Sequence, residues 1–363
     1  MSHVETRYPT TLPTRREWLT IGIAVAVSVL AGLLTLFGAN AVLIFVVAGV
    51  ALAILAAIVG LATDQIGARL GTGATGVLQS ALGNLPELFI GIFALRAGLV
   101  GVVQAALVGS ILGNSLFVLG LAFFVGGLRH GAQRFSFNAP RTIATLTLLA
   151  VSALIVPTIV QNLHTPAAGH QDGLSIACAV ILLIIFIASI PASLSGGLPD
   201  TKQGKTEAKP SWPVWLAALV LVGAGVGAAF ISDWFVNALT PAIQFLHISA
   251  AFTGLVIVAL AGNAVENVVG IQFAARNQMD FAISVILNSS LQVALGLTPI
   301  LVLLSFIIGG AHLTLVLAPL LVAALALSAI LGTVITYDGE STWLEGLALV
   351  GLYAIIAISF WWG

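Results

Sequence analysis

Residues 83–98 read "GNLPELFIGIFALRAG", and residues 262–277 read "GNAVENVVGIQFAARN". Each copy carries Gly-Asn, then a glutamate three residues after the asparagine, then a glycine four residues after the glutamate. Both sit inside long apolar runs of a chain in which only 7% of residues are charged. A carboxylate in the middle of a hydrocarbon-spanning helix costs roughly 2.5–3.5 kcal/mol on insertion scales, so an intramembrane Glu marks function by default. The other reading is a Glu that caps a broken helix or pairs with a buried cation, and the pairing lacks a partner because Arg96 and Arg276 fall at the ends of the two runs.

Around this pair the composition is that of a membrane protein. The chain has 363 residues, 60% of them hydrophobic, with a mean hydropathy of +1.15. Soluble domains run near half apolar and a quarter charged. Uninterrupted apolar windows predict eleven helices, near 18–37, 40–62, 73–97, 101–126, 141–161, 174–194, 213–235, 249–275, 279–308, 312–334 and 341–362. The runs are continuously apolar instead of alternating, which speaks against a barrel. The fold class is therefore all-α and polytopic. No cleavable leader is expected, since the first apolar run is long and lacks a small-residue cleavage site. The net charge of −1 offers no footprint for nucleic acid. The lone Cys178 reads as a small hydrophobe.

Two polar breaks divide the chain. "GGLRHGAQRFSFNAPR" (126–141) is a glycine-rich basic loop, and "SGGLPDTKQGKTEAKPSWP" (195–213) is the longest polar run. The organisation expected is an N-terminal segment with an extra helix (1–37), a first five-helix unit (40–194), a linker (195–212) and a second five-helix unit (213–363). With the N-terminus inside, eleven of the twelve Lys and Arg residues fall on the cytoplasmic side and only Arg96 outside. The C-terminus then lies outside, in what would be a prokaryotic inner membrane. The motifs occupy the third and eighth spans, so an odd number of crossings separates them and they run in opposite directions. That is an inverted repeat, which places sites near the midplane and suits alternating access.

Asn84 and Glu87, like Asn263 and Glu266, share one helical face. The flanking Gly83 and Gly262 fit a close backbone approach or an opened helix whose carbonyls become ligands. Pro86 favours opening in the first copy, whereas the second has Val265, so the two halves need not be equally broken. The helix after each motif adds polar groups: Ser110 and Asn114 in "GSILGN", Ser289 and Gln292 in "NSSLQ". Interhelical hydrogen bonding is the plainer role for these. Together with two carboxylates they form an all-oxygen set suited to a hard cation such as Ca²⁺. Soft metals would need Cys, Met or His, and none is placed for them. Two ionised carboxylates in low dielectric repel, and either a divalent cation or protons relieve the repulsion. Proton-coupled exchange follows as an expectation. A protease or esterase would need His-Glu-x-x-His or Gly-x-Ser-x-Gly, and neither occurs. A cation channel could also use paired glutamates, but it has no need of inverted repeats.

The two stretches beginning at Gly83 and Gly262, with the C-terminal "DGESTWLEGLALVGLYAIIAISF", resemble the alpha repeats and last helix of the CAX-type Ca²⁺/H⁺ exchangers of the Ca²⁺/cation antiporter superfamily. The resemblance covers the chain from about residue 40. It implies one plus five plus five helices, Ca²⁺ and protons competing at Glu87 and Glu266, and polar positions at Asn84, Asn263, Ser110, Asn114, Ser289 and Gln292. It further implies a trimer in the lipid bilayer and no cofactor beyond the transported ions. Three departures stand out. Asn267 replaces the His that many members carry after the second Glu. The Asn-Leu-Pro-Glu of the first motif leans toward sodium-coupled relatives, which keeps Na⁺/Ca²⁺ or monovalent cation/H⁺ exchange as the alternative. The linker, with three lysines, is no acidic regulatory helix.

Overall fold

The computed structural model describes residues 12–70, 82–136, 138–194, 212–337 and 339–362, and it is built almost wholly of helices. In chain order these are α1 (Arg15–Leu36), α2 (Ala41–Leu70), α3 (Leu85–Arg96), α4 (Val100–His130), α5 (Asn138–Asn162), α6 (Gln171–Leu194) and α7 (Val214–Leu246). They continue as α8 (Ala250–Gly262), α9 (Ala264–Ala275), α10 (Met279–Ser305), α11 (Pro319–Ile335) and α12 (Trp343–Ser359). Seven of them are long and apolar enough to cross a membrane, and the bent pair α8–α9 makes an eighth. The helices α11 and α12 are apolar but shorter. The linker expected at 195–212 falls, apart from Trp212, outside the described residues, as does the first part of the third expected span.

Several expected boundaries are corrected. Helix α2 runs on to Leu70 instead of ending at 62, and α7 to Leu246 instead of 235. Apolar windows stop at polar residues, but backbone hydrogen bonding does not; Asp64 and Gln65 continue α2, and Asn237 and Thr240 continue α7. The predicted helix at 312–334 begins only at Pro319. Residues 312–318 lie outside any helix, with Leu313, Leu315 and Leu317 buried in alternation. Their backbone is satisfied by side chains from four helices. Gln104 of α4 donates to the carbonyls of Thr314 and Val316, Ser175 of α6 accepts from Leu315 N–H, and Ser305 of α10 accepts from Leu313 N–H. Thr158 of α5 accepts from Leu317 N–H and donates to Leu315 O. The loop at 126–141 is shorter than expected, since α4 extends to His130, and its remainder holds strand β1 (Gln133–Arg134) antiparallel to β2 (Glu340–Ser341).

Burial sorts the helices. In α4 and α10, 78% of the most apolar window is buried, against 11% in α1 and 17% in α6. Hence α4 and α10 form the centre, and α1 and α6 present apolar faces outward, as a lipid-facing helix does. Glycine lets α4 and α8 cross in backbone contact: a methyl on Gly109 would overlap Leu255 O, and one on Gly254 would overlap Val102 O. Both central helices contain a π turn, Gly113–Val118 in α4 and Val293–Leu297 in α10. At the start of α7, Trp212 is fully buried. Its N–H donates to Gln65, its carbonyl accepts from Arg69, and its indole N–H donates to Glu17, which ties α7 to α1 and α2.

Candidate functional site

Helices α3 and α9 are the same element twice. Each has twelve residues and starts directly after an asparagine, Asn84 (φ −93°, ψ 17°) or Asn263 (φ −98°, ψ 17°). At these two asparagines the backbone turns alike, and the stretch before the first of them, 71–81, lies outside the described residues. In the second copy the turn bends α8 from α9 by 66°. Pro86 sits where a helix has no use for its missing N–H, so it fits the start without causing it. Glu87 and Glu266 each occupy the first turn, where the helix N-terminus favours negative charge.

Glu87 is buried, and a hydrogen-bonded chain closes on it from both halves of the sequence. Ser110 donates to Glu87 Oε1 at 2.6 Å, and Asn263 Nδ2 donates to the same oxygen at 2.6 Å. Asn263 Nδ2 also lies 3.0 Å from Ser110 Oγ and 3.0 Å from Ala259 O, the last turn of α8. Asn263 Oδ1 accepts from Ser289 (3.2 Å), whose hydroxyl accepts from Asn114 Nδ2 (2.9 Å). Glu87 Oε2 is buried without a partner among the described residues. Gly262 is part of the fit, because a methyl there would overlap Glu87 Cγ. Thus Glu87, Ser110, Asn114, Gly262, Asn263 and Ser289 lie together in the structure.

The remaining candidates lie around this centre. Glu266 is partly exposed. Asn84 and Gly83 are also partly exposed, and the Asn84 side chain does not cap its helix. Gln292 ends the first α-helical part of α10, Met279–Gln292, and is half-buried. The pair Ser115–Ser290 (3.2 Å) was missed, although each serine directly follows a candidate. It joins α4 to α10 beside the Asn114–Ser289 bond. Asn267 Oδ1 is buried without a partner among the described residues. Gln104 holds the 312–318 segment. Asp280 accepts from Ser136 N–H in addition to opening α10.

Chemically the centre offers oxygens that can change role. A hydroxyl both donates and accepts, and an amide presents either its NH₂ or its oxygen. Ser110, Ser289 and Asn263 can thus hydrogen-bond a carboxylate or turn lone pairs toward a cation. Among the described residues no cluster of three or more His, Cys, Asp or Glu exists, so neutral oxygens must complete any cation shell.

A membrane-length helical bundle with a buried carboxylate among hydroxyl and amide oxygens has the chemistry of a cation transporter. The comparisons sharpen this. Residues 40–194 and 216–362 match the sodium/calcium exchanger protein family, and the chain belongs to it. It is 34% identical to the "Ca(2+)/H(+) antiporter" of Synechocystis sp. over 87% of this chain and 90% of that protein. It is equally 34% identical to the "Ca(2+)/H(+) antiporter ChaA" of Bacillus subtilis, covering 87% and 91%. Among solved structures, native YfkE superposes with a TM-score of 0.79 at 31% identity, covering 95% of this chain and 99% of that one. The "H+/Ca2+ Exchanger CAX" shares the fold at 16% identity with a TM-score of 0.75. These relatives are transporters and not enzymes.

Proposed function

We propose that the chain is a secondary antiporter exchanging Ca²⁺ for H⁺ by alternating access, with Glu87 and Glu266 binding Ca²⁺ or protons. The observation that carries this reading is the hydrogen-bonded chain through which Asn263 and Ser289 of one half reach Glu87 and Ser110 of the other. A site shared between two halves changes when they move relative to one another. Ca²⁺ between the carboxylates and a proton on each leave the pair equally neutral, so the empty, doubly charged centre is the costly state. That cost couples the two ions: one leaves as the other arrives. Asn84, Asn114, Gln292 and the backbone beside Gly83 and Gly262 would complete the oxygen shell, and no cofactor is needed.

The architecture proposed is eleven crossings, an extra first helix followed by inverted halves at 40–194 and 213–363. The equal twelve-residue helices after Asn84 and Asn263, the paired π turns and the two-part family match support it. With positive residues inside, the N-terminus is cytoplasmic. The lipid-facing surfaces leave room for a homotrimer.

Reconstituted vesicles test the exchange. Ca²⁺ should dissipate an imposed pH gradient, and Glu87→Gln or Glu266→Gln should each lower the rate at least a hundredfold. Normal rates in both variants would remove the glutamates from the site. The second reading, sodium in place of protons, rests on Asn84-Leu85-Pro86-Glu87; Ca²⁺ uptake driven by a sodium gradient at clamped pH would favour it.

A further inference from the structure

A narrow pocket starts at Glu87 and Ser110 and runs between α3, α4, α8 and α10. Along α3 its wall passes through Ile90, Gly91 and Ala94, and along α4 from Ser110 back to Val103 and Val102. Seven to eight residues of helix carry it ~10 Å toward the turn at 97–99. Beyond Glu87 and Ser110 its lining is apolar. Leu301 of α10 closes the side of this pocket against α3. It is 1% exposed, and its two methyls lie where a methyl on Gly91 would be, at 2.7 and 2.8 Å.

We propose that this pocket is the closed passage between Glu87 and the membrane face bearing Ala97, and that Leu301 seated on Gly91 is its gate. The proposal rests on the exchange reading above and adds a residue to it. Three observations meet here: a buried carboxylate with an unpartnered oxygen, a pocket that begins at that carboxylate, and a leucine filling the gap left by a glycine. An apolar passage of this width excludes water and bare cations while shut. Leu297, which also lines the pocket, is the last residue of the α10 π turn, one turn before Leu301. A π turn is a break in regular helix bonding at which the next segment can shift. Moving Leu301 off Gly91 then opens the route, while the opposite side of the site, where Glu266 and Asn84 are partly exposed, closes separately.

Thiol labelling tests the gate. Cys178 is the only cysteine, so Cys178→Ser gives a silent background. In it, Val103→Cys reports the pocket, and Ala97→Cys, at an exposed position, marks the face and the folded state. With a membrane-impermeant methanethiosulfonate applied from the Ala97 face, Leu301→Ala should speed labelling of Val103→Cys at least tenfold. Gly91→Ala, which pushes Leu301 from its seat without removing a core side chain, should do the same and carries the test should Leu301→Ala fail to fold. Unchanged labelling in folded Gly91→Ala protein, or labelling from the opposite face alone, would overturn the gate. Labelling needs no transport: faster labelling in a chain whose parent shows no Ca²⁺-driven proton flux would keep the gate and remove the exchange reading.

Discussion

At the scale of single residues, the centre depends on what is small as much as on what is charged. Gly262 leaves the space that the Glu87 side chain fills, so Gly262→Ala must displace the carboxylate from Ser110 and Asn263. Hydrogen bonds to a charged group are worth about 1.5–3 kcal/mol, and loss of one corresponds to roughly ten- to a hundredfold. Gly262→Ala should therefore lower Ca²⁺-dependent proton flux at least tenfold while the protein keeps its elution profile in detergent. Gly223→Ala, where an added methyl meets nothing, is the matched control and should transport normally. Equal activity in the two variants would remove Gly262 from the site. These positions were legible because the motif is doubled: one Gly-Asn-x-x-Glu in an oily run is an oddity, two define a site. The bonds between the copies were not legible. Nothing in the spacing says that Asn263 turns to Glu87, since that depends on how α8 and α3 pack.

At the scale of elements, the misread stretch is 312–318. A hydropathy window registers "HLTLVLA" as membrane-spanning and cannot distinguish a buried extended segment from a helix. The alternation of leucines with polar or small residues, and Pro319 closing the run, are present in the sequence. The partners that make an extended backbone tolerable in the core, Gln104, Thr158, Ser175 and Ser305, are spread over four helices. Exposed backbone polar groups cannot persist at membrane depth, so those side chains are required where they stand. Thr158→Val keeps the shape and removes both bonds to the segment, leaving Leu317 N–H unsatisfied. A loss of about 1–3 kcal/mol is expected for such a group. Thermal unfolding in detergent should show a lowered midpoint for Thr158→Val and none for Ser152→Ala, whose hydroxyl bonds only within its own helix. A midpoint equal to wild type would mean that another group takes over Leu317 N–H.

At the scale of the whole molecule, the connections between turns constrain how often the chain crosses the membrane. The turn after α4 pairs with the turn before α12 through β1 and β2 and the Arg134–Glu340 ion pair. The same turn reaches the end of α9, where Gln133 donates to Ala274 O and Asn277 Oδ1. The start of α7 is bound to the end of α2 and the start of α1. On the other set, Ala311 N–H donates to Leu95 O at the end of α3, and Ser249 before α8 donates to Phe360 O after α12. The proposed crossings put these two sets on opposite faces when α8 and α9 are one broken span and α3, α11 and α12 each cross despite their length. The count is then eleven, and an odd count puts the two termini on opposite faces. Epitope tags at the two ends, probed with antibody in intact and permeabilised cells, should differ: the C-terminal tag accessible in intact cells, the N-terminal tag only after permeabilisation. Both tags reacting from one face would require an even count and overturn the proposed eleven crossings. The exposed His312–Asp172 contact lies with the outer set, joining the start of the 312–318 segment to α6. A single cysteine at Ala97 and another at Arg134 should likewise label from opposite faces, which checks the count in the interior of the chain, where a miscounted span would escape the tags.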